Sequence, residues 1–493
     1  MAAPQYDAII IGAGFGGMGA AIQLNKLGLR NLLILEREDG VGGTWHVNKY
    51  PGLAVDVASV TYSYSFEPNP YWSRLFAPGA ELKRYADHVA DKYDIRKYMQ
   101  FGKVVEGAVW ESDRWSVSVQ GESHPRTARY LLTATGFLSQ PYTPPFPGID
   151  TFAGRILHTA AWDDEVELEG RRAAIIGTGA TAVQLVPKLA RKVKELTVFQ
   201  RTPIWVVPKV DAPIPRPVQE LFARVPRTQQ AARLVNTAAL EALMVVGVLH
   251  FKQAFVFNDV ARLLGKANLF AQVRDRGLRR KLTPDYDFGC KRPTFSNDYF
   301  RTFNRDNVAL ETNSIDRIEP DGIVTAAGNK IEIDTLVLAT GYNIWDVNFP
   351  AIEIIGREGR NLGKWWRDSR FQAYEGISMP YFPNLLSLNS PYSYSGLSYF
   401  TTIETQMAHI ARLFGELQRT GAEVFEVKES ANDAFFERVD RKLGSSVFYT
   451  GSCATANSYY FDPHGDASLL RPTSTLNARR EARSFPLSDY QLA

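Results

Sequence analysis

A chain of 493 residues, 45% of them hydrophobic, can bury large cores and exceeds one ordinary domain, so two or three are expected. With 56 basic against 53 acidic residues and a net charge of +3, the overall balance gives no reason to invoke nucleic acid or an anionic membrane as partner. The only two cysteines, Cys290 and Cys453, offer no disulfide framework, which points to a reducing, cytoplasmic setting.

The start, Met-Ala-Ala-Pro-Gln-Tyr-Asp, has no basic flank before an apolar run and does not read as a signal peptide. Residues 6–11 predict a buried strand that runs into the turn Gly12-Ala-Gly14-Phe-Gly-Gly17. A helix from Met18 to Gly28 and a second strand over 32–36 complete a doubly wound unit. Residues 81–99 read as helix and 103–132 as short strands with turns. The Pro-rich segment 140–148 reads as a stiff linker.

The pattern then repeats. A strand over 173–176 enters Gly177-Thr178-Gly179-Ala-Thr181-Ala182, a helix follows from Thr181 to Ala190 with Pro187 inside it, and Leu196–Gln200 is the next strand. Residues 211–282 show no strand pattern and read as a helical insertion. The longest apolar run, Ala242–Leu249, falls far short of the ~20 residues that span a bilayer, so a buried helix is expected there and no transmembrane segment. Two Ala-Thr-Gly segments, 134–136 and 339–341, each close an apolar strand where the chain passes between nucleotide-binding regions. An amphipathic helix is expected over 401–418, and the last ~90 residues carry no usable motif.

The expected fold is therefore α/β, with two Rossmann-like dinucleotide-binding domains and a helical insertion in the second. Residues 1–140 plus 341–493 form the first domain, 141–151 the linker, 152–208 plus 288–340 the second domain, and 209–287 the insertion. Two nucleotide sites in one chain imply electron transfer from one dinucleotide to another. Their register tells them apart: Glu36 follows Gly12 by 24 residues, and Arg201 follows Gly177 by 24. A carboxylate at that position accepts from ribose hydroxyls, which suits the adenosine of FAD; an arginine followed by Thr202 suits the 2′-phosphate of NADPH.

Three further stretches carry a resemblance. Phe152, Gly154, His158, Trp162 and Asp163 read as F-x-G-x-x-x-H-x-x-x-W-[P/D]. Gly42-Gly43-Thr44-Trp45 through Tyr50-Pro51-Gly52 to Asp56 forms a second pattern. Gly289-Cys-Lys291-Arg292-Pro with Asn304-Arg-Asp-Asn-Val308 forms a third. Together these resemble the type I Baeyer–Villiger monooxygenases, of the class B flavoprotein monooxygenase family, over nearly the whole chain to about residue 410.

The resemblance implies an NADPH-dependent FAD enzyme that inserts one oxygen of O2 into an apolar ketone through a flavin C4a-peroxide, giving an ester or lactone. Sulfides are further possible substrates. It implies Arg292 and Asp56 as the catalytic pair, with Thr44, Trp45, Tyr62 and Val105 joining Gly12, Gly14, Gly17, Glu36 and Asp56 around FAD. Gly177, Thr178, Gly179, Thr181, Gln184, Arg201, Thr202 and Lys291 would hold NADP, and His158 would act in domain movement rather than as a general base. An always-charged guanidinium suits an oxyanion, and Asp56 would hold it in place.

The alternative within the same architecture is a flavin monooxygenase that oxidises sulfur or nitrogen. It is separated by Trp162-Asp163 and Arg292, since heteroatom oxygenases carry a different residue at the tryptophan position and need no arginine. A disulfide reductase would require a closely spaced cysteine pair, and a non-catalytic flavin-binding protein would fail to oxidise NADPH. No metal-ligand spacing and no G-x-S-x-G elbow occurs. The chain departs from the family near its end: no tryptophan follows Trp366, so the lid over the cofactor is expected to differ. The aromatic segment Tyr392–Phe400 suggests an apolar pocket. Neither the particular ketone nor the oligomeric state is readable from the residues.

Overall fold

The computed structural model describes residues 3–394 and 398–493; residues 395–397, inside the Tyr392–Phe400 segment, lie outside the described residues. Two parallel sheets organise the chain. In the first, β1 (Tyr6–Ile11) sits between β2 (Leu32–Leu35) and the strand Arg126–Thr133, both parallel to it. The sheet has eight strands, and the antiparallel meander Val105–Glu111, Arg114–Val119, Arg126–Thr133 extends one side.

Alternate residues of β1 leave on opposite faces. Ala8 and Ile10 pack with α1 (Phe15–Lys26) and the long helix Tyr399–Thr420, while Ile9 and Ile11 pack with Trp115, Phe371 and Phe382. Both faces are covered, which is why these strands read as continuous apolar runs. The helix Tyr399–Thr420 buries Phe400, Ile403, Met407, Ile410, Phe414 and Leu417, a three- and four-residue spacing that lines one face. Gly421, at φ +75°, stops it.

The second sheet has five parallel strands. β3 (Arg172–Ile176) lies between β4 (Glu195–Phe199) and Thr335–Leu338, with Val308–Glu311 and Arg155–His158 at the edges. The fingerprint stretch is thus an edge strand whose last residue, His158, pairs with Leu338. After β3 comes α2 (Ala180–Leu189), which contains Pro187 in its last turn. The helical region follows, with Arg216–Arg224, α3 (Pro226–Met244), α4 (Phe255–Gln272) and α5 (Arg276–Leu282). The expected helix over 81–99 is shorter, Gly79–Lys92. The helix expected from Met18 begins three residues earlier, because Gly16 and Gly17 are tolerated in its first turn.

Two expectations are corrected. Cys290 and Cys453, both buried, are joined as a disulfide, so the chain does contain a covalent cross-link. Their separation of 163 residues gave no sign of it; the fold of the C-terminal segment brings them together. The run Ala242–Leu249 is not a buried helix: it spans the end of α3 and one π turn, and among its described side chains Leu249 is buried while Leu243 is exposed. The C-terminal ~90 residues are ordered, with helices Glu429–Leu443 and Thr475–Ser484 and the antiparallel pair Phe425–Val427 with Tyr490–Leu492.

Candidate active site

Both glycine turns are built alike. Gly12 (φ +105°) and Gly177 (φ +115°) have a backbone that L side chains rarely adopt, and an added Cβ would meet the carbonyl of Ala134 at 2.6 Å or of Ala339 at 2.3 Å. Those carbonyls belong to the two Ala-Thr-Gly segments, so each such segment ends beside a nucleotide turn. α1 and α2 start after Gly14 and Gly179 with no side-chain cap, which leaves first-turn N–H groups free for phosphate oxygens. Around Gly179 nothing lies within 4 Å of an added Cβ. Gly17 closes the first turn so tightly that a Cβ would sit 1.9 Å from the Gly12 carbonyl. These cradles fit two dinucleotides.

Glu36 is buried at the end of β2. Its Oε2 accepts from Ala13 N at 2.7 Å and its Oε1 from Glu38 N at 3.0 Å, so it braces the glycine turn. Each oxygen retains a lone pair for a ribose hydroxyl. Val105 starts the strand Val105–Glu111, its side chain in the core; two residues earlier Lys103 N donates to Glu36 O at 2.8 Å. Gly43 faces Gly14, with an added Cβ 3.1 Å from the Gly14 Cα, so no side chain intrudes between the turn and the segment Thr44–Val47. Trp45 Nε1 donates to the Tyr62 hydroxyl at 3.3 Å, and burial raises the Tyr62 phenol well above its ordinary value.

The loop that follows delivers a carboxylate. Gly52 (φ +90°) turns the chain against α2, and Ala54 is held by Gln184, whose Nε2 donates to Ala54 O at 3.0 Å and whose Oε1 accepts from the Tyr50 hydroxyl at 3.2 Å. The Gln184 amide is therefore engaged with this loop. Thr181, a turn earlier on α2, lies within reach of the Tyr50 hydroxyl.

Asp56 then takes Arg292 in a fork: Nε to Oδ2 at 2.8 Å and Nη2 to Oδ1 at 2.9 Å. Burial opposes the charge on Arg292, but Asp56 together with the phenols of Tyr394, Tyr459 and Tyr460 offsets this and its basicity is raised. Nη1, the end not used by Asp56, reaches the Tyr394 hydroxyl at 3.3 Å. Tyr459 and Tyr460 complete the wall, and burial raises all three phenols, so they stay protonated. Lys209 also lies near Asp56, its ammonium lowered by burial.

One residue before Arg292 the chemistry changes sign. Lys291 is lowered to about 8, first by burial and second by the positive charge of Arg201. No ion pair of either cation is found among the described residues. Two cations facing each other without a counter-charge would suit an anion such as a 2′-phosphate. Beside them Thr202 Oγ1 accepts from Asn457 Nδ2 at 2.9 Å, and Thr178 Oγ1 donates to Thr202 O at 2.8 Å. Asn457, Tyr459 and Tyr460 were not among the expected site residues; they come from the C-terminal segment that carries no motif.

The fingerprint residues play other parts. Phe152 and Trp162 are core, and Gly154 has no room for a side chain, with Asp334 O at 2.4 Å from an added Cβ. Asp163 Oδ1 accepts from Glu165 N at 2.9 Å. His158 Nδ1 accepts from Ala160 N at 3.1 Å, so Nε2 carries the proton and donates to Tyr142 O at 3.3 Å. Burial lowers its basicity. Both ring nitrogens are engaged with backbone at the crossing between the sheets, which suits a hinge and leaves no free base. Among the described residues no cluster of three metal-ligating side chains occurs.

Comparison with known proteins agrees with this geometry. A family described as pyridine nucleotide-disulphide oxidoreductase matches residues 9–217. A Baeyer–Villiger monooxygenase of Streptomyces coelicolor is 35% identical over 98% of this chain and 92% of its own. This chain belongs to the Baeyer–Villiger monooxygenases. A second member, from Pseudomonas aeruginosa, is 35% identical over 100% of this chain and 92% of its own. Among solved structures, closed cyclohexanone monooxygenase superposes with a TM-score of 0.87 at 28% identity over 100% of both chains. Oxidised steroid monooxygenase bound to NADP gives 0.86 at 30% over 99% of both. The chain is accordingly an NADPH-dependent flavoprotein monooxygenase that uses FAD and NADP.

Proposed function

We propose that this Baeyer–Villiger monooxygenase converts an apolar ketone, with NADPH, a proton and O2, into an ester or lactone, NADP⁺ and water, at the site framed by Asp56, Arg292 and Tyr394. Bound FAD, reduced by NADPH, supplies the electrons that activate O2. Gly12, Gly14 and Gly17 with the start of α1 and Glu36 would hold it, and Gly177, Gly179, Arg201, Thr202 and Lys291 would hold NADP.

The observation that carries the reading is the forked Asp56–Arg292 pair, which leaves Nη1 outside the fork beside the Tyr394 hydroxyl. When the ketone carbonyl is attacked its oxygen becomes negative. A fixed cation whose solvation need not reorganise stabilises that oxygen more than the neutral carbonyl, which lowers the barrier. Asp56 fixes the guanidinium plane, and the tyrosine wall strengthens the interaction by excluding water. The aromatic lining favours a ketone with an apolar body.

The test is to incubate the purified, flavin-loaded protein with NADPH, air, a ketone panel and one aryl sulfide, and to identify products by mass. Ester or lactone supports the reading. Sulfoxide alone would transfer the assignment to heteroatom oxidation, and peroxide alone would mean that no ketone in the panel fits.

A further inference from the structure

The helix α4 is amphipathic the wrong way round for a helix packed on a protein. Its inner face is held by polar groups: Asn258 Nδ2 donates to Phe288 O at 2.5 Å, Asn268 Nδ2 to Val206 O at 3.0 Å, and Arg262 Nη1 to Asp287 Oδ1 at 3.1 Å. Gly265 on the same face lets the helix come against the Trp205 ring. The outer face is apolar. Val256, Val260, Leu263, Ala267 and Phe270 recur at three- and four-residue spacing with Leu264 beside them, and Leu263 is 67% and Leu264 58% exposed. From Val256 to Phe270 this stripe is about 21 Å long. A contiguous apolar face of that size left in water marks a contact surface.

The charges next to it identify what it contacts. Arg279 on α5 lies 5.3 Å over the Phe270 ring and donates to Phe270 O at 3.1 Å, so α5 continues directly from the apolar stripe. Arg274, Arg276, Arg280 and Lys281 stand exposed around it. Over 209–287 there are thirteen lysines and arginines against seven aspartates and glutamates, a local net +6 that the near-neutral total of +3 conceals. An apolar stripe bordered by cations fits the headgroup region of an anionic bilayer, with the helix axis lying in the plane. Spanning is a different matter: Pro226–Leu249 is long and apolar enough by composition, but Arg233 Nη1 donates to Ser63 Oγ at 3.2 Å and Glu241 Oε2 accepts from Thr475 N at 2.9 Å, which pins α3 to the body of the protein.

We propose that α4 and α5 dock this enzyme on the anionic surface of a phospholipid bilayer, α4 lying in the headgroup plane. The proposal goes beyond the oxidation reading and does not depend on it. The experiment is flotation of the full-length, FAD-loaded protein with phosphatidylcholine vesicles prepared with and without phosphatidylglycerol, at low and high salt. Binding is expected only with phosphatidylglycerol, weakening as salt rises. Leu263→Asp/Leu264→Asp should lower the partition coefficient roughly tenfold or more. Arg276→Gln/Arg280→Gln/Lys281→Gln, which leaves the apolar face intact, should lower it independently. All these side chains lie outside the active site, and circular dichroism melts verify that the variants fold. No binding to either vesicle, equal binding to both, undiminished binding of the aspartate variant, or a wild-type dimer that this variant splits would each overturn the proposal.

Discussion

Replacing Asp56 by Asn tests the centre of the proposed site most directly, because the change keeps shape and removes one charge. The two bonds at 2.8 and 2.9 Å place opposite charges in contact. At an effective dielectric of about 20 that is worth about 4 kcal/mol. The side chains are 21% and 30% exposed, so water screens part of it, and roughly 2–3 kcal/mol is the expected loss on leaving Arg292 unpaired. Half of the fork also goes, so the guanidinium is free to rotate away from where Nη1 must meet the carbonyl oxygen. Misplacement by about 1 Å costs roughly 10²-fold in rate. The assay is ester formation measured beside NADPH consumption, with urea unfolding alongside. Ester should fall about 10²-fold while NADPH is still oxidised. Arg292→Ala should fall about 10²–10³-fold, as for loss of a donor to an oxyanion. If the two residues act as a unit, the double variant is no worse than Arg292→Ala. Turnover of Asp56→Asn within twofold of wild type, or multiplicative losses in the double variant, would refute the reasoning.

Three more outcomes follow from the same geometry. Arg201→Ala should raise the KM for NADPH by about tenfold or more and leave that for NADH nearly unchanged, read by initial rates with each coenzyme; an unchanged preference would place the 2′-phosphate elsewhere. Lys291, with its ammonium at about 8, is charged below that pH and neutral above it. NADPH affinity should therefore be greatest below pH 8 and weaken as pH rises through it, and Lys291→Met should abolish this slope in a fluorescence titration. Cys453→Ser opens the loop closed across 163 residues. It should lower unfolding stability by roughly 4–5 kcal/mol, and dithiothreitol should lower the wild type equally and the variant not at all; equal urea midpoints with and without the thiol would show the cysteines unbonded.

What the sequence disclosed and what it hid divide along a physical line. The glycine turns were legible because the constraint is local: a backbone that must come within contact distance of Ala134 O or Ala339 O tolerates only glycine, and the neighbouring strand and helix announce themselves by periodicity. The Arg292–Asp56 pairing spans 236 residues and became an expectation only through family resemblance. Asn457, Tyr459 and Tyr460 had no such help, since their segment follows no shared pattern. The disulfide was missed because two cysteines at arbitrary spacing carry no information about proximity. Residues 211–282 read only as helical, with no sign of which face of α4 meets the protein; Asn258 and Asn268, polar yet buried, mark its inner face. Gln184, expected beside the cofactor, is held by Ala54 and Tyr50, partners a linear pattern cannot name.

The Cys290–Cys453 bridge also decides what moves with what. Arg292 follows Cys290 by two residues, and Tyr459 and Tyr460 follow Cys453 closely; around the bridge Ser452 N donates to Asp287 Oδ2 at 2.8 Å and Thr455 Oγ1 to Asp285 Oδ1 at 3.0 Å. The C-terminal segment is thereby riveted to the stretch that carries the guanidinium. A shift of the two sheets about the His158 crossing would carry Arg292 together with Tyr459 and Tyr460. Such a shift would change access to the pocket while the cation and these two phenols stayed one piece.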